Sequence, residues 1–85
     1  MGNKKIRVLI VEDSLIFSKF LTKTLEGESQ IEVIGVASNP YEARDIILEL
    51  KPDVMTMDIE MPKMNGIDFL RKLIPQHPLP VIVVS

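Results

Sequence analysis

Glu12, Asp13, Asp58, Glu60 and Ser85 are the residues whose types and spacing offer chemistry. Glu12 and Asp13 follow the apolar run Ile6–Val11, Asp58 and Glu60 follow Val54–Met57, and Ser85 follows Val81–Val84. Singly, an acidic residue behind an apolar run is most simply a helix cap or a solvated loop residue. Together they pose an electrostatic problem, because two unit negative charges about 4 Å apart repel by roughly 4 kcal/mol at an effective dielectric near 20. Gathering three of them calls for a cation or a shared proton. A set of oxygen ligands without His or Cys favours Mg²⁺ or Ca²⁺ over zinc. Mg²⁺ takes one or two carboxylates and keeps several waters, which leaves room for a phosphate oxygen. An aspartate can itself be a nucleophile toward phosphorus, giving an aspartyl phosphate. A hydroxyl such as that of Ser85 can then hydrogen-bond a phosphate oxygen.

Whether these residues meet depends on the elements that carry them. The runs Ile6–Val11, Ile31–Ala37, Val54–Met57 and Val81–Val84 read as strands, and the first and last lack alternation, as strands covered on both faces do. Between them the apolar spacing is helical. One stripe is Ile16, Phe17, Phe20, Leu21 and Leu25, opened by Ser14 as N-cap and stopped at Gly27. A second is Ala43, Ile46, Ile47 and Leu50, opened by Asn39-Pro40 and closed by Lys51-Pro52-Asp53. A third is Ile67, Leu70, Leu73 and Ile74, with Asp68 and Lys72 spaced as a favourable i,i+4 pair. Pro75, Pro78 and Pro80 then break the chain before the last strand.

The order βαβαβαβ, with right-handed crossovers, predicts an α/β fold: a doubly wound, open parallel sheet with helices on both faces. In such sheets ligands sit beyond the carboxyl ends of the strands, where strand order reverses. The acidic residues and Ser85 all fall at those ends. The chain stops directly after the fourth strand, so the reading is of an incomplete sheet with an exposed edge and a partly uncovered face.

Composition narrows the class. With 85 residues the chain is one small domain, and 46% hydrophobic with 26% charged residues is the balance of a folded protein. A net charge of −2 gives no electrostatic reason to expect nucleic-acid contact. There is no cysteine, which suits a reducing compartment. The apolar core behind Lys4 and Lys5 is too short for a signal peptide or a membrane span, so a soluble cytoplasmic protein is expected.

Val11-Glu12-Asp13-Ser14, then Met57-Asp58-Ile59-Glu60-Met61-Pro62 and Asn65-Gly66, resemble the receiver domain of two-component response regulators over essentially the whole chain. The resemblance implies a flavodoxin-like fold, a Mg²⁺ cofactor, and phosphorylation of Asp58 by a histidine kinase. It implies that Glu12, Asp13 and Asp58 hold the metal together with the main-chain carbonyl of Glu60, and that Ser85 is the switch hydroxyl. Pro62 biases Met61 toward extended backbone, and Gly66 permits a tight turn at the next helix. The wording from Lys51 to Leu70, with Pro80-Val-Ile-Val-Val-Ser85, is similar to the receiver of chemotaxis protein-glutamate methylesterases. That points to a phosphoprotein of the chemotaxis phosphorelay, whose output is a receptor methylesterase/deamidase domain that is not within these 85 residues. On this reading residues 1–85 are a receiver lacking its C-terminal third, including the family's strand-five lysine and its last helix. Self-association through the sheet face left uncovered is expected.

The runner-up within the class is a receiver controlling a DNA-binding output domain. An aspartyl-phosphate phosphatase fits poorly, since its nucleophile would follow the first strand. A nucleotide-binding domain lacks its glycine-rich loop after that strand. His77, between prolines, reads as a solvent-exposed loop residue, Met55 and Met57 as core filler, and Met61 and Met64 as loop residues near the site or at a partner contact.

Overall fold

The computed structural model of the chain describes residues 4–58 and 66–84. Its elements are β1 (Ile6–Val11), α1 (Leu15–Glu26), β2 (Ile31–Ala37), α2 (Pro40–Leu50), β3 (Val54–Met57), α3 (Gly66–Leu73) and β4 (Val81–Val83). The strands form one sheet in the order β2-β1-β3-β4, and every pairing is parallel. This is the doubly wound α/β arrangement expected from the alternation. From β1 the chain crosses one way to β2 and later the other way to β3 and β4, so strand order reverses between β1 and β3.

β1 is paired on both sides and is the most buried strand, with Val8, Leu9, Ile10 and Val11 all at 4% exposure or less. Successive side chains point to opposite faces. Leu9, Val11, Met55 and Met57 join Ala43 and Ile47 of α2 and Phe69 and Leu73 of α3 in one core cluster. Val8, Ile10, Thr56 and Ile82 therefore face the other way, toward α1. The methionines of β3 are core residues, as expected.

Ile34 is an extra residue on β2, a bulge that bends the strand. At the next residue, Gly35, α2 packs close: a Cβ there would stand 3.3 Å from the end of the Ile46 side chain.

The caps follow the sequence. Ser14 Oγ accepts from the Phe17 N–H at 3.2 Å, and Asn39 Oδ1 accepts from the Glu42 N–H at 3.0 Å, with Pro40 at the first helical position. Glu42 reaches back to accept from both the N–H and the hydroxyl of Ser38, each at 2.8 Å. These bonds satisfy donors that the first turn of a helix leaves open. At the far end of α2, Lys51 adopts φ 50°, ψ 66°, and its carbonyl accepts from the Arg7 guanidinium at 2.9 Å. Asp53 accepts from the Arg7 N–H at 2.9 Å, which ties the turn into β3 to the start of β1.

Two sequence expectations are corrected. The α1 stripe does not lie on the sheet as a whole, since Ile16 is 83% and Phe20 63% exposed. α1 instead seats Ser18, 3% exposed, against the sheet with Leu21 and Leu25 half-buried. The small side chain lets the helix approach closely, and its hydroxyl is satisfied by the Leu15 carbonyl at 2.9 Å. Asp68 and Lys72 do not close to an ion pair; among the described residues the ion pair formed is Arg44–Asp45 at 4.0 Å. Exposed pairs gain little against the side-chain entropy of holding them.

Candidate metal and phosphoryl-acceptor site

The site is built by the two central strands where they end. Beyond β1, the Glu12 N–H donates to the Ala37 carbonyl at 2.9 Å, and beyond β3 the Asp58 N–H donates to the Val11 carbonyl at 3.3 Å. These bonds carry the ladder one residue further and hold both acidic residues at the β1/β3 switch point, the place in open α/β sheets where ligands bind. Carboxylate oxygens of Glu12, Asp13 and Asp58 all lie within 4.8 Å of one another.

The three carboxylates are not equivalent. Glu12 is buried at 6% exposure, Asp58 half-buried and Asp13 exposed. Burial pushes the Glu12 carboxyl above its ordinary 4.5; the Ser14 N–H pulls the other way, while the charges of Asp58 and Asp13 and a hydrogen bond with Asp13 add to the rise. The Ser14 N–H donates to Glu12 Oε2 at 3.0 Å, so one residue both orients Glu12 and caps α1. Sequence reasoning assigned Ser14 only the cap; the signal was a serine two residues past an acidic one.

Glu60 and Ser85, named as a main-chain ligand and a switch hydroxyl, lie outside the described residues, as do Met61 and Met64. Val84 donates its N–H to the Met57 carbonyl at 2.9 Å, so β4 runs beside β3 up to the residue before Ser85. His77 is half-buried rather than open to solvent, its N–H bonded to the Leu73 carbonyl at 2.8 Å.

Chemically, three oxygen donors with one buried and held against its own charge are a donor set that could hold a hard divalent cation. Oxygens bound directly to one Mg²⁺ at about 2.1 Å can be at most about 4.2 Å apart. The observed cluster, within 4.8 Å, is slightly wider than that span, so one donor would reach the ion through a water. The residues present therefore fit Mg²⁺.

The parallel sheet, the switch-point carboxylates and an aspartate at the end of β3 define a doubly wound α/β module with an acidic site at its switch point. The family of response regulator receiver domains matches residues 8–85, and the chain belongs to it. It is 56% identical over 82 residues to a protein-glutamate methylesterase/protein-glutamine glutaminase of Syntrophotalea carbinolica, covering 96% of this chain and 23% of that protein. A second such protein, from Vibrio vulnificus, is 53% identical over 85 residues, covering all of this chain and 25% of its own length. Among solved structures, the response regulator domain of Thermotoga maritima CheB superposes with a TM-score of 0.89 at 43% identity, covering 96% of this chain and 61% of that one. The chain thus spans about a quarter of the length of the two methylesterase relatives it matches. Among the described residues, no helix is long and apolar enough to cross a membrane.

Proposed function

We propose that residues 1–85 act as a receiver whose Asp58 accepts a phosphoryl group from the phosphohistidine of a chemotaxis-type histidine kinase. The observation that carries this reading is the carboxylate trio at the β1/β3 switch point in a chain of the receiver family. A carboxylate oxygen of Asp58 attacks phosphorus, the P–N bond to the imidazole breaks, and the departing nitrogen takes up a proton. Glu12, Asp13 and Asp58, with the carbonyl of Glu60, would hold Mg²⁺. When bound, that ion supplies charge neutralisation between carboxylate and phosphoryl oxygens.

Glu12 is held by Ser14 and by the β1–β2 ladder, so the chain's own contribution is preorganisation of one ligand before the cation arrives. Ser85 would hydrogen-bond the phosphoryl group and so report its presence. The output would be a protein-glutamate methylesterase/protein-glutamine glutaminase domain, the activity named for the relatives above, acting on chemotaxis receptors in a cytoplasmic protein.

The test is intact mass after incubation with Mg²⁺ and acetyl phosphate. Wild type should gain the mass of one phosphoryl group and Asp58→Ala none. A persistent adduct on Asp58→Ala, or no adduct on folded wild type that binds Mg²⁺, overturns the assignment.

A further inference from the structure

We infer that the groove between α2 and α3 is a docking site for an acidic peptide segment of a partner protein, one that presents a bulky apolar side chain flanked by carboxylates. The groove has a volume of about 330 Å³, at the lower end of the range for ligand pockets. It has room for one or two side chains and not for a whole helix or a large cofactor. Its sides are Tyr41 and Arg44 of α2 and Lys72 of α3; Phe69 and Leu73, spaced i−3 and i+1 from Lys72 on α3, form the floor, with His77 at the end.

The floor is rigid. Phe69 and Leu73 are 7% and 4% exposed and belong to the core cluster that also contains Val11 and Met57, so the groove need not form on binding. The rim is different: Tyr41, the chain's only tyrosine, is 62% exposed, and Arg44 and Lys72 are exposed as well. A rigid apolar floor edged by an aromatic and an arginine is the composition of an interface anchor point.

Charge selects the partner. Although the chain carries a net −2, no carboxylate lines this groove among the described residues, and Arg44 and Lys72 do. Among the described residues Arg44 is tied elsewhere only by the solvent-exposed contact with Asp45 at 4.0 Å, which costs little to give up. Two cations are too few to hold a nucleic-acid backbone, whose affinity grows with the number of phosphates neutralised. They suffice to fix the register of a short segment whose apolar side chain supplies the burial. The proposal does not depend on phosphorylation of Asp58, and the two can fail separately.

The experiment is a ¹⁵N–¹H NMR titration of the chain with a synthetic peptide of sequence Gly-Glu-Leu-Glu-Phe-Glu-Gly, capped at both ends. Controls carry Lys for each Glu or Ser for Leu and Phe, and a short thymidine oligonucleotide is a further control. Shifts should localise to residues 40–44 and 69–77 for the Glu-Leu-Phe peptide alone. The double charge reversal Arg44→Glu with Lys72→Glu, at exposed positions that leave the fold intact, should weaken binding by about tenfold or more; Tyr41→Ser should weaken it as well. The proposal is overturned if wild type shows no shifts at millimolar peptide, if the shifts map to α1 or β4, or if the Lys peptide, the Ser peptide or the oligonucleotide binds equally well.

Discussion

Glu12 is a buried carboxylate beside two others, and its surroundings raise the energy of its charged form. Two charges about 4.8 Å apart repel by roughly 3 kcal/mol at an effective dielectric near 20, so the site is held at the expense of stability until a cation offsets it. Glu12→Gln keeps an oxygen for the Ser14 N–H and removes the charge. Without divalent cation this variant should melt higher than wild type, by about 4 °C or more if at least 1 kcal/mol is recovered. Added Mg²⁺ should raise the melting point of wild type and barely move that of the variant. Calorimetry with and without Mg²⁺ checks both, and a variant that melts lower without Mg²⁺ would show that Glu12 is not under this stress. That the trio would meet was legible from acidic residues at strand ends. That Glu12 rather than Asp13 would be the buried one was not, because adjacent residues at a strand end differ only in which way the last peptide turns.

At the level of elements, the start of α2 titrates. Hydrogen bonds from the Ser38 N–H and hydroxyl hold the Glu42 carboxyl below its ordinary 4.5. A lowered folded value means this cap contributes stability above the unfolded value, and the contribution is lost as pH falls through the folded one. Ser38→Ala should move the Glu42 titration, followed by side-chain carboxyl NMR, back toward 4.5, and should shrink the loss on acidification. The end of α2 offers a second change. Lys51 holds a left-handed conformation at φ 50°, where glycine has no Cβ penalty. Lys51→Gly should stabilise by about 0.5 kcal/mol, since the backbone carbonyl that Arg7 uses is kept; urea midpoints measure it, and a decrease would refute it. The strands and helices among the described residues were legible because continuous apolar runs and capped stripes are local signals, correct here to within a residue. The orientation of α1 was not. Its apolar residues cover so wide an arc that the stripe alone does not say which side is seated, and a small buried serine, which hydropathy ignores, decides it.

Across the whole molecule the two sheet faces are unequal. α2 and α3 close one, whereas on the other Ile16 and Phe20 of α1, Val36 of β2 and Ile82 of β4 are between 43% and 83% exposed. Apolar side chains left exposed on this side favour association, and the chain should sediment as a concentration-dependent monomer–oligomer mixture. Phe20→Lys should shift it to monomer without loss of secondary structure, and a wild type that stays monomeric at high concentration would count against the patch as an interface. Burial on this face depends on which segments reach it, which local sequence signals do not report. The central position of β1 has a consequence in time. Val8 pairs with Val54 and Val11 with Met57, so the first strand made must wait for the third before its second edge is satisfied. At roughly 5–20 residues per second on a ribosome, that interval is roughly two to ten seconds. Throughout it the strand that ends up most buried presents an open edge, and Glu12 has no Asp58 beside it. The carboxylate trio therefore cannot assemble before β3 is made, and β1 is the segment a nascent-chain chaperone would need to shield.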